Sequence, residues 1–407
     1  MEKQLVVLIG AKTLAVLEGV PYPDGFQVAR YKKILDPQGF RLGVISDLGE
    51  AAASLQSLLE EFYDPKSQSI EHEIHCILGT SKVHRFEFQT SSYFKDAKTI
   101  TPFDVQKAVA QTKAVATIPM SEMIILAQPK DFLVDDVEHV KNPLGLDAKR
   151  LGVCLEMFAS SSQEIKNIQK LFMAIGAEAS SYFPKPIGLH EALLSEDERR
   201  DSTVIVDIMN HTIQYTFIRD FMIQFMEYSE LGFYELNKKI AAQYGIDDSD
   251  AELLKCQYGT LAKDKVDELI PLIQRNGVGV KQIKRSEFQD FFDVIFKEWS
   301  ETMVAEIRTM LDAYQIKHPQ IILAGGAARL DHLDTYFLEK FSLSARCGVV
   351  KKVKAVQEVL LDPVFTPALG FLKWKYRQET EQKPLLETSG FFRKTFSSAV
   401  DWFQTYF

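Results

Sequence analysis

Two short apolar runs open the chain. Leu5–Ile9 and Leu14–Glu18 read as strands joined by a tight turn at Gly10-Ala11. Asp47 can cap a helix running to about Phe62, and Ile74–Leu78 is a further strand. Thr101-Pro102 starts a helix that reaches about Ala116, since threonine caps and proline fits the first turn. Glu122–Ala127 is a strand, followed by an irregular stretch with Asn142-Pro143 and Gly145. The second half repeats this beginning in type. Leu151–Phe158 reads as a strand, and Ser161 with Glu164 makes a capping box for a helix to about Ile175. Thr203–Asp207 has a buried-strand pattern, with strands near Ile213–Ile218 and Phe221–Tyr228 after it. Helices follow at about Leu231–Tyr244, Ser249–Tyr258 and Ser286–Tyr314, and the strand Gln320–Ala324 ends at Gly325-Gly326. The pattern is α/β, with strand-rich beginnings near residues 1 and 203.

The end of the chain is different. From Gly390 to Phe407 the apolar residues Phe392, Phe396, Ala399, Val400, Phe403 and Phe407 fall at the spacing of one helical face, with Phe391, Trp402 and Tyr406 beside them. A polar stretch from Tyr376 to Ser389 separates this helix from the rest. An aromatic-rich amphipathic helix on a tether points to a membrane surface. The candidate contact residues are Phe391, Phe392, Phe396, Val400, Trp402, Phe403 and Phe407. A helix docked on its own body or in an oligomer interface would carry the same pattern.

Composition narrows the class. At 407 residues two or more domains are expected, and 46% apolar with 25% charged residues is ordinary for a globular protein. A formal net charge of -9 argues against a nucleic-acid partner. Cys76, Cys154, Cys256 and Cys347 are scattered, which reads as reduced thiols. His72, His75 and Cys76 divide between the faces of a strand more naturally than they form a metal site, and no metal is expected. No apolar run approaches the ~20 residues needed to span a bilayer. Lys12 interrupts the one stretch that faintly resembles a signal peptide.

Strand ends that run into glycine turns can present N–H groups to phosphate. Gly10 and Gly325 end strands in that layout, and each alone is a weak signal. Together with other motifs they resemble the bacterial cell-division family FtsA, of the actin-like superfamily. Asn142-Pro143-Leu144-Gly145-Leu146-Asp147-Ala148-Lys149-Arg150-Leu151 resembles that family's NP-(I/V)-G signature, with Ala148 in place of its second glycine and Asp135-Asp136 before it. Thr101-Pro102-Phe103-Asp104-Val105 resembles the helix start of its inserted subdomain. Leu194 to Arg199, Asp250 to Lys255, Ala324 to Ala328 and Pro367 to Leu372 match further family motifs, in order.

The resemblance implies an actin-like ATPase fold of two RNase H-like lobes with an FtsA-type inserted 1C (SHS2) subdomain. Subdomain 1A would use 1–80, 154–188 and a closing segment 351–375, and subdomain 1C would fill 81–153. Subdomain 2A would use 189–227 and 307–350, subdomain 2B 228–306, a linker 376–388 and a membrane-targeting helix 389–407. It implies nucleotide contacts at Gly10, Ala11, Lys12, Asp207, Asn210, His211, Thr212, Glu252, Lys255, Gly325, Gly326 and Ala327, and ATP with magnesium as cofactors.

The departures cut against that cofactor. Leu8 stands where the family's first phosphate loop has an acid, and Met209-Asn210-His211 replaces the three glycines of the second. Met209 and His211 add bulk where a triphosphate would lie, while Glu252, Lys255 and Gly325-Gly326 keep the adenosine side. Two readings stay open: a degenerate site that binds nucleotide weakly or not at all, and a site that binds ATP from the adenosine side with Asn210 and His211 replacing lost donors. Hydrolysis is not expected from either.

The function implied is a membrane anchor for FtsZ filaments at the division site, on the cytoplasmic face. It would self-associate and recruit later division proteins through subdomain 1C. Arg285 and Lys297 are the candidate contacts for the FtsZ C-terminal tail, although Ile295 stands where the family has an arginine. The aromatic series Phe288, Phe291, Phe292, Phe296 and Trp299 reads as core. The rival readings are an active actin/Hsp70-type ATPase, which the phosphate loops disfavour, and a PilM-type pilus-assembly adaptor, which the C-terminal helix and the Asn142-Pro143 segment disfavour.

Overall fold

The computed structural model describes residues 2–63, 73–79, 82–262, 268–273 and 280–382. They fall into two units. The first holds the chain up to Ala192, Lys352–Val359 and the chain from Phe365 on; the second holds Leu193–Lys351 and Leu360–Val364. The sequence places these divisions after residues 188 and 350.

In the first unit β1 (Gln4–Ile9) and β2 (Thr13–Tyr22) form the expected hairpin, and β3 (Gly25–Leu35) continues it antiparallel. β3 was not expected. Its outer half carries Arg30, Lys32 and Lys33, the charges that keep a sheet edge from pairing with other chains. α1 (Leu48–Leu59) starts where Asp47 Oδ1 accepts the Glu50 N–H at 2.9 Å. β4 (Glu73–Leu78) lies parallel to β1, whose six residues are all buried, as suits a strand covered on both faces.

An inserted subdomain follows, with β5 (His84–Thr99), α2 (Pro102–Val115), β6 (Glu122–Val134), β7 (Val137–Val140) and β8 (Asp147–Ser161). Its antiparallel sheet has the order β5-β8-β6-β7. The Asn142-Pro143 motif braces the start of α2. Ile100 N–H donates to Leu146 O at 2.9 Å, Gly145 N–H to Ile100 O at 3.1 Å, and Asp135 Oδ1 accepts both Lys149 and Arg150 N–H at 2.8 Å. Thr101 and Asp104 cap α2 reciprocally, and Lys98 Nζ reaches Asp104 Oδ1 at 2.6 Å. Burial would raise the Asp104 carboxyl, but Lys98 and Thr101 outweigh it and hold it below its ordinary value. The boundary expected at 153 falls inside β8, because one ladder with β5 runs unbroken from Arg150 to Ala159.

After α3 (Ser162–Ala174), β9 (Ser181–Phe183) completes a five-stranded sheet of order β9-β4-β1-β2-β3, and α4 (Lys185–Leu193) follows. Leu5, Val7 and Ile9 pack with Leu55, Ile168 and Phe172 beneath α1 and α3.

The second unit repeats the plan. Beyond α5 (Glu196–Arg200) come β10 (Thr203–Ile208), β11 (Ile213–Arg219) and β12 (Met222–Ser229), an antiparallel meander. Then follow α6 (Tyr234–Tyr244), α7 (Asp248–Tyr258), the hairpin β13 (Leu269–Ile273) and β14 (Val280–Lys284), and α8 (Arg285–Ala313). β15 (Gln320–Gly325), α9 (Leu333–Phe341) and β16 (Ala345–Cys347) finish a sheet of order β12-β11-β10-β15-β16. Both sheets thus pair an antiparallel meander with two parallel strands, the plan the family resemblance implies. Phe288, Phe292, Phe296 and Trp299 lie in the core, as expected from their spacing.

α10 (Thr366–Arg377) returns to the first unit and crosses α4 at Gly188 and Gly370. The candidate membrane residues Phe391, Phe392, Phe396, Val400, Trp402, Phe403 and Phe407 lie outside the described residues.

Candidate nucleotide site

The loops after β1 and β10 are built alike. Ile9 pairs with Leu14 and Ile208 with Ile213, so each hairpin is closed by four residues. Gly10 N–H donates to Thr13 O at 2.8 Å, and Met209 N–H to Thr212 O at 2.9 Å. Gly10, Ala11 and Lys12 belong to the first unit; Asp207, Asn210, His211, Thr212, Glu252, Lys255, Gly325, Gly326 and Ala327 belong to the second.

The second loop does not need the glycines it lacks. None of residues 209–212 has positive φ, so Met209, Asn210 and His211 fit without strain. The loop is held from one side by the start of α6. Phe233 N–H donates to Met209 O at 3.1 Å and Tyr234 N–H to Asn210 O at 2.7 Å. Every peptide here is trans and planar, so the N–H groups of Asn210 and His211 point away from α6, side by side. Two adjacent N–H groups aimed one way are the kind of backbone arrangement that accepts an anion. Gly232 permits the contact, since a Cβ there would meet Asn210 O at 2.2 Å.

Side chains fix the same junction. The His211 ring lies on Tyr234, centroids 4.7 Å apart, and the Asn210 amide lies 3.2 Å from His211 Nε2. The bulk expected over a triphosphate is, for His211, turned onto α6 instead. Tyr234 OH donates to Asp248 Oδ2 at 2.5 Å, which raises the Tyr234 hydroxyl above its ordinary value. Lys255 is buried, with its ammonium 5.1 Å from the centre of the Phe233 ring. Glu252 is half-buried one turn earlier on α7.

At the end of β15, Gly325 has φ +81°, and a Cβ there would meet Ile208 O at 2.3 Å and Asp207 Oδ1 at 2.7 Å. Only glycine lets β15 approach buried Asp207 this closely. A Cβ on Gly326 would meet nothing within 4 Å, so space opens above it. Ala327 is buried. The ends of two parallel strands, a backbone donor pair and an open glycine form one end of the second unit, where ligands of such sheets bind. The metal side fits less well. Leu8, where the family has an acid, is buried in the first unit.

A family model described as the SHS2 domain inserted in FtsA matches residues 81–158, the inserted subdomain carried to within three residues of the end of β8. The cell division protein FtsA of Neisseria meningitidis is 21% identical over 365 residues, 89% of this chain and 87% of that protein. The chain is thus similar to FtsA proteins over most of its length and carries their inserted SHS2 domain. Among solved structures, the PilM-PilN type IV pilus biogenesis complex aligns with a TM-score of 0.61 at 15% identity, over 95% of this chain and 99% of the other. MreB5 of Spiroplasma citri bound to AMPPNP aligns with a TM-score of 0.52 at 13% identity, over 98% of both. These two establish the fold, an actin-like one.

The two candidates for an FtsZ tail lie apart on α8. Arg285, its first residue, pairs with Glu268 at 2.9 Å and lies over Tyr258. Lys297 is exposed and pairs loosely with Glu301 at 3.7 Å. Ile295 is buried in the apolar core, which accounts for the missing arginine. Sequence reading missed Gly232, Phe233 and Tyr234, the residues that orient the second loop. Only the glycine before α6 hinted at them. Among the described residues no helix is long and apolar enough to cross a membrane.

Proposed function

We propose that this chain ties FtsZ filaments to the cytoplasmic face of the membrane at the division site. The observation that carries the reading is an FtsA-like body, matched along nearly its whole length, that ends in an amphipathic aromatic segment. The body supplies grip on the filament, the tail supplies grip on lipid, and self-association multiplies both. The inserted subdomain is the surface offered to later division proteins. The test is recruitment: fluorescent FtsZ polymers should decorate lipid vesicles when the full chain is present and stay in solution without it. Decoration that is equal with and without the chain would end the proposal.

For the nucleotide, the reading favoured is binding without turnover. The N–H groups of Asn210 and His211 would hold a phosphate, and the open ground over Gly326 would take the adenosine side. ATP when bound would supply charge and shape at this end of the second unit. Asp207 alone is a thin basis for holding magnesium, because Leu8 replaces the acid of the first loop. ATP turnover with magnesium should equal the buffer background. Turnover well above it, abolished by Asp207→Asn, would restore the ATPase reading.

A further inference from the structure

His75 sits on β4 between β1 and β9, buried beneath α10. The Gln4 amide nitrogen donates to Glu2 O at 3.1 Å, which leaves Gln4 Oε1 as an acceptor. His75 Nε2–H then donates to it at 2.6 Å, and Nδ1 accepts from the Ser181 hydroxyl at 2.7 Å. A neutral imidazole therefore satisfies both nitrogens. Phe371 of α10 covers the ring, centroids 4.5 Å apart. One turn further on, Lys375 Nζ lies 3.5 Å from Glu73 Oε2, which is itself 3.5 Å from His75 Nε2. Lys375 also stands 4.0 Å from Glu379. Arg377 pairs with Glu191, a carboxylate 2% exposed on α4, and Tyr376 OH donates to Pro23 O at 3.3 Å. A single π-helical turn, Gln378–Gln382, then leads toward the C-terminal segment.

We propose that this cluster is a latch: the neutral His75 ring holds the last turns of α10 against the sheet, and acid releases them. Charging the ring would turn Nδ1 from acceptor to donor inside a covered layer. Burial pushes the His75 pKa down, and this outweighs the upward pull of Glu73. The sign follows. A histidine depressed in the fold lends stability that is complete above the ordinary histidine value. It is lost as pH falls below that value toward the lower one of the folded state. Each residue released would lengthen the tether by up to ~3.3–3.6 Å. That consequence rests on the anchoring reading, whereas the latch does not.

Hydrogen exchange on the full chain without lipid tests it. Protection factors over 371–380, corrected for intrinsic exchange, should fall up to tenfold for each pH unit below ~6.5. His75→Gln should flatten that slope. Should His75→Gln fail to fold, Gln4→Glu serves, since a carboxylate at Nε2 keeps the charged ring at home and also flattens it. A pH-independent wild type, an unchanged slope in either variant, or an equal loss throughout the second unit would each overturn the latch. Vesicle binding that fails while the slope holds would reject the anchor alone.

Discussion

The full chain should sediment with liposomes, and a chain ending at Glu387 should stay in the supernatant. This is one of the two largest effects expected of the molecule, and it follows from the sequence of the C-terminal segment. Each large apolar side chain taken from water contributes ~1.5–3 kcal/mol. Phe392, Phe396, Val400, Phe403 and Phe407 have the sequence spacing of one helical face, so on lipid their sum would exceed the cost of ordering a short helix. Arg393 and Lys394 add attraction to anionic lipid of ~1 kcal/mol each. Trp402→Glu with Phe403→Glu removes two anchors, so affinity should fall ~100-fold or more. If the helix instead docks on its own body, the truncation lowers the melting temperature and leaves pelleting unchanged. Equal pelleting of full and truncated chains would refute the anchor.

The parts legible in the sequence are those whose physics is local. β1, β10 and β15 read as buried strands because Gln4–Ile9, Thr203–Ile208 and Gln320–Gly325 are nearly unbroken apolar runs. Asp47, Thr101 and Ser161 announced helix starts because a cap is a contact between near neighbours. β5 stayed hidden, since a half-covered strand with Ser91, Ser92 and Lys95 has no clean alternation to read. The second phosphate loop is hard to read for a related reason. Its lost glycines look decisive in sequence, yet what aims its N–H groups is a pair of hydrogen bonds from Phe233 and Tyr234, more than twenty residues downstream. Lys255, a candidate nucleotide contact, has its ammonium 5.1 Å from the centre of the Phe233 ring. Spacing along a chain says nothing of such meetings.

Gly370→Ala should melt the first unit early, although alanine is the better helix former by ~1 kcal/mol. Gly370 is buried at the crossing of α10 and α4, where its new Cβ would stand 1.8 Å from Gly188 O and 2.6 Å from Gly188 C. The opposing atoms are backbone, so no rotamer change relieves the overlap. A Cβ on Gly188 would likewise meet Pro367 O at 2.5 Å, so neither helix can give way to the other. They must part, and the contacts of Phe371 and Leu372 on the sheet part with them. Overpacking of this kind costs ~1–3 kcal/mol and at times more. A net loss of about 2–3 kcal/mol should lower the first unit's transition by roughly 4–12 °C in calorimetry. Gly49→Ala on α1 is the control, because its Cβ would meet only Asp47 Oδ1, at an ordinary 3.4 Å. It should hold or raise the transition. Matching shifts for the two variants would mean that the glycine crossing does not set the packing of α10.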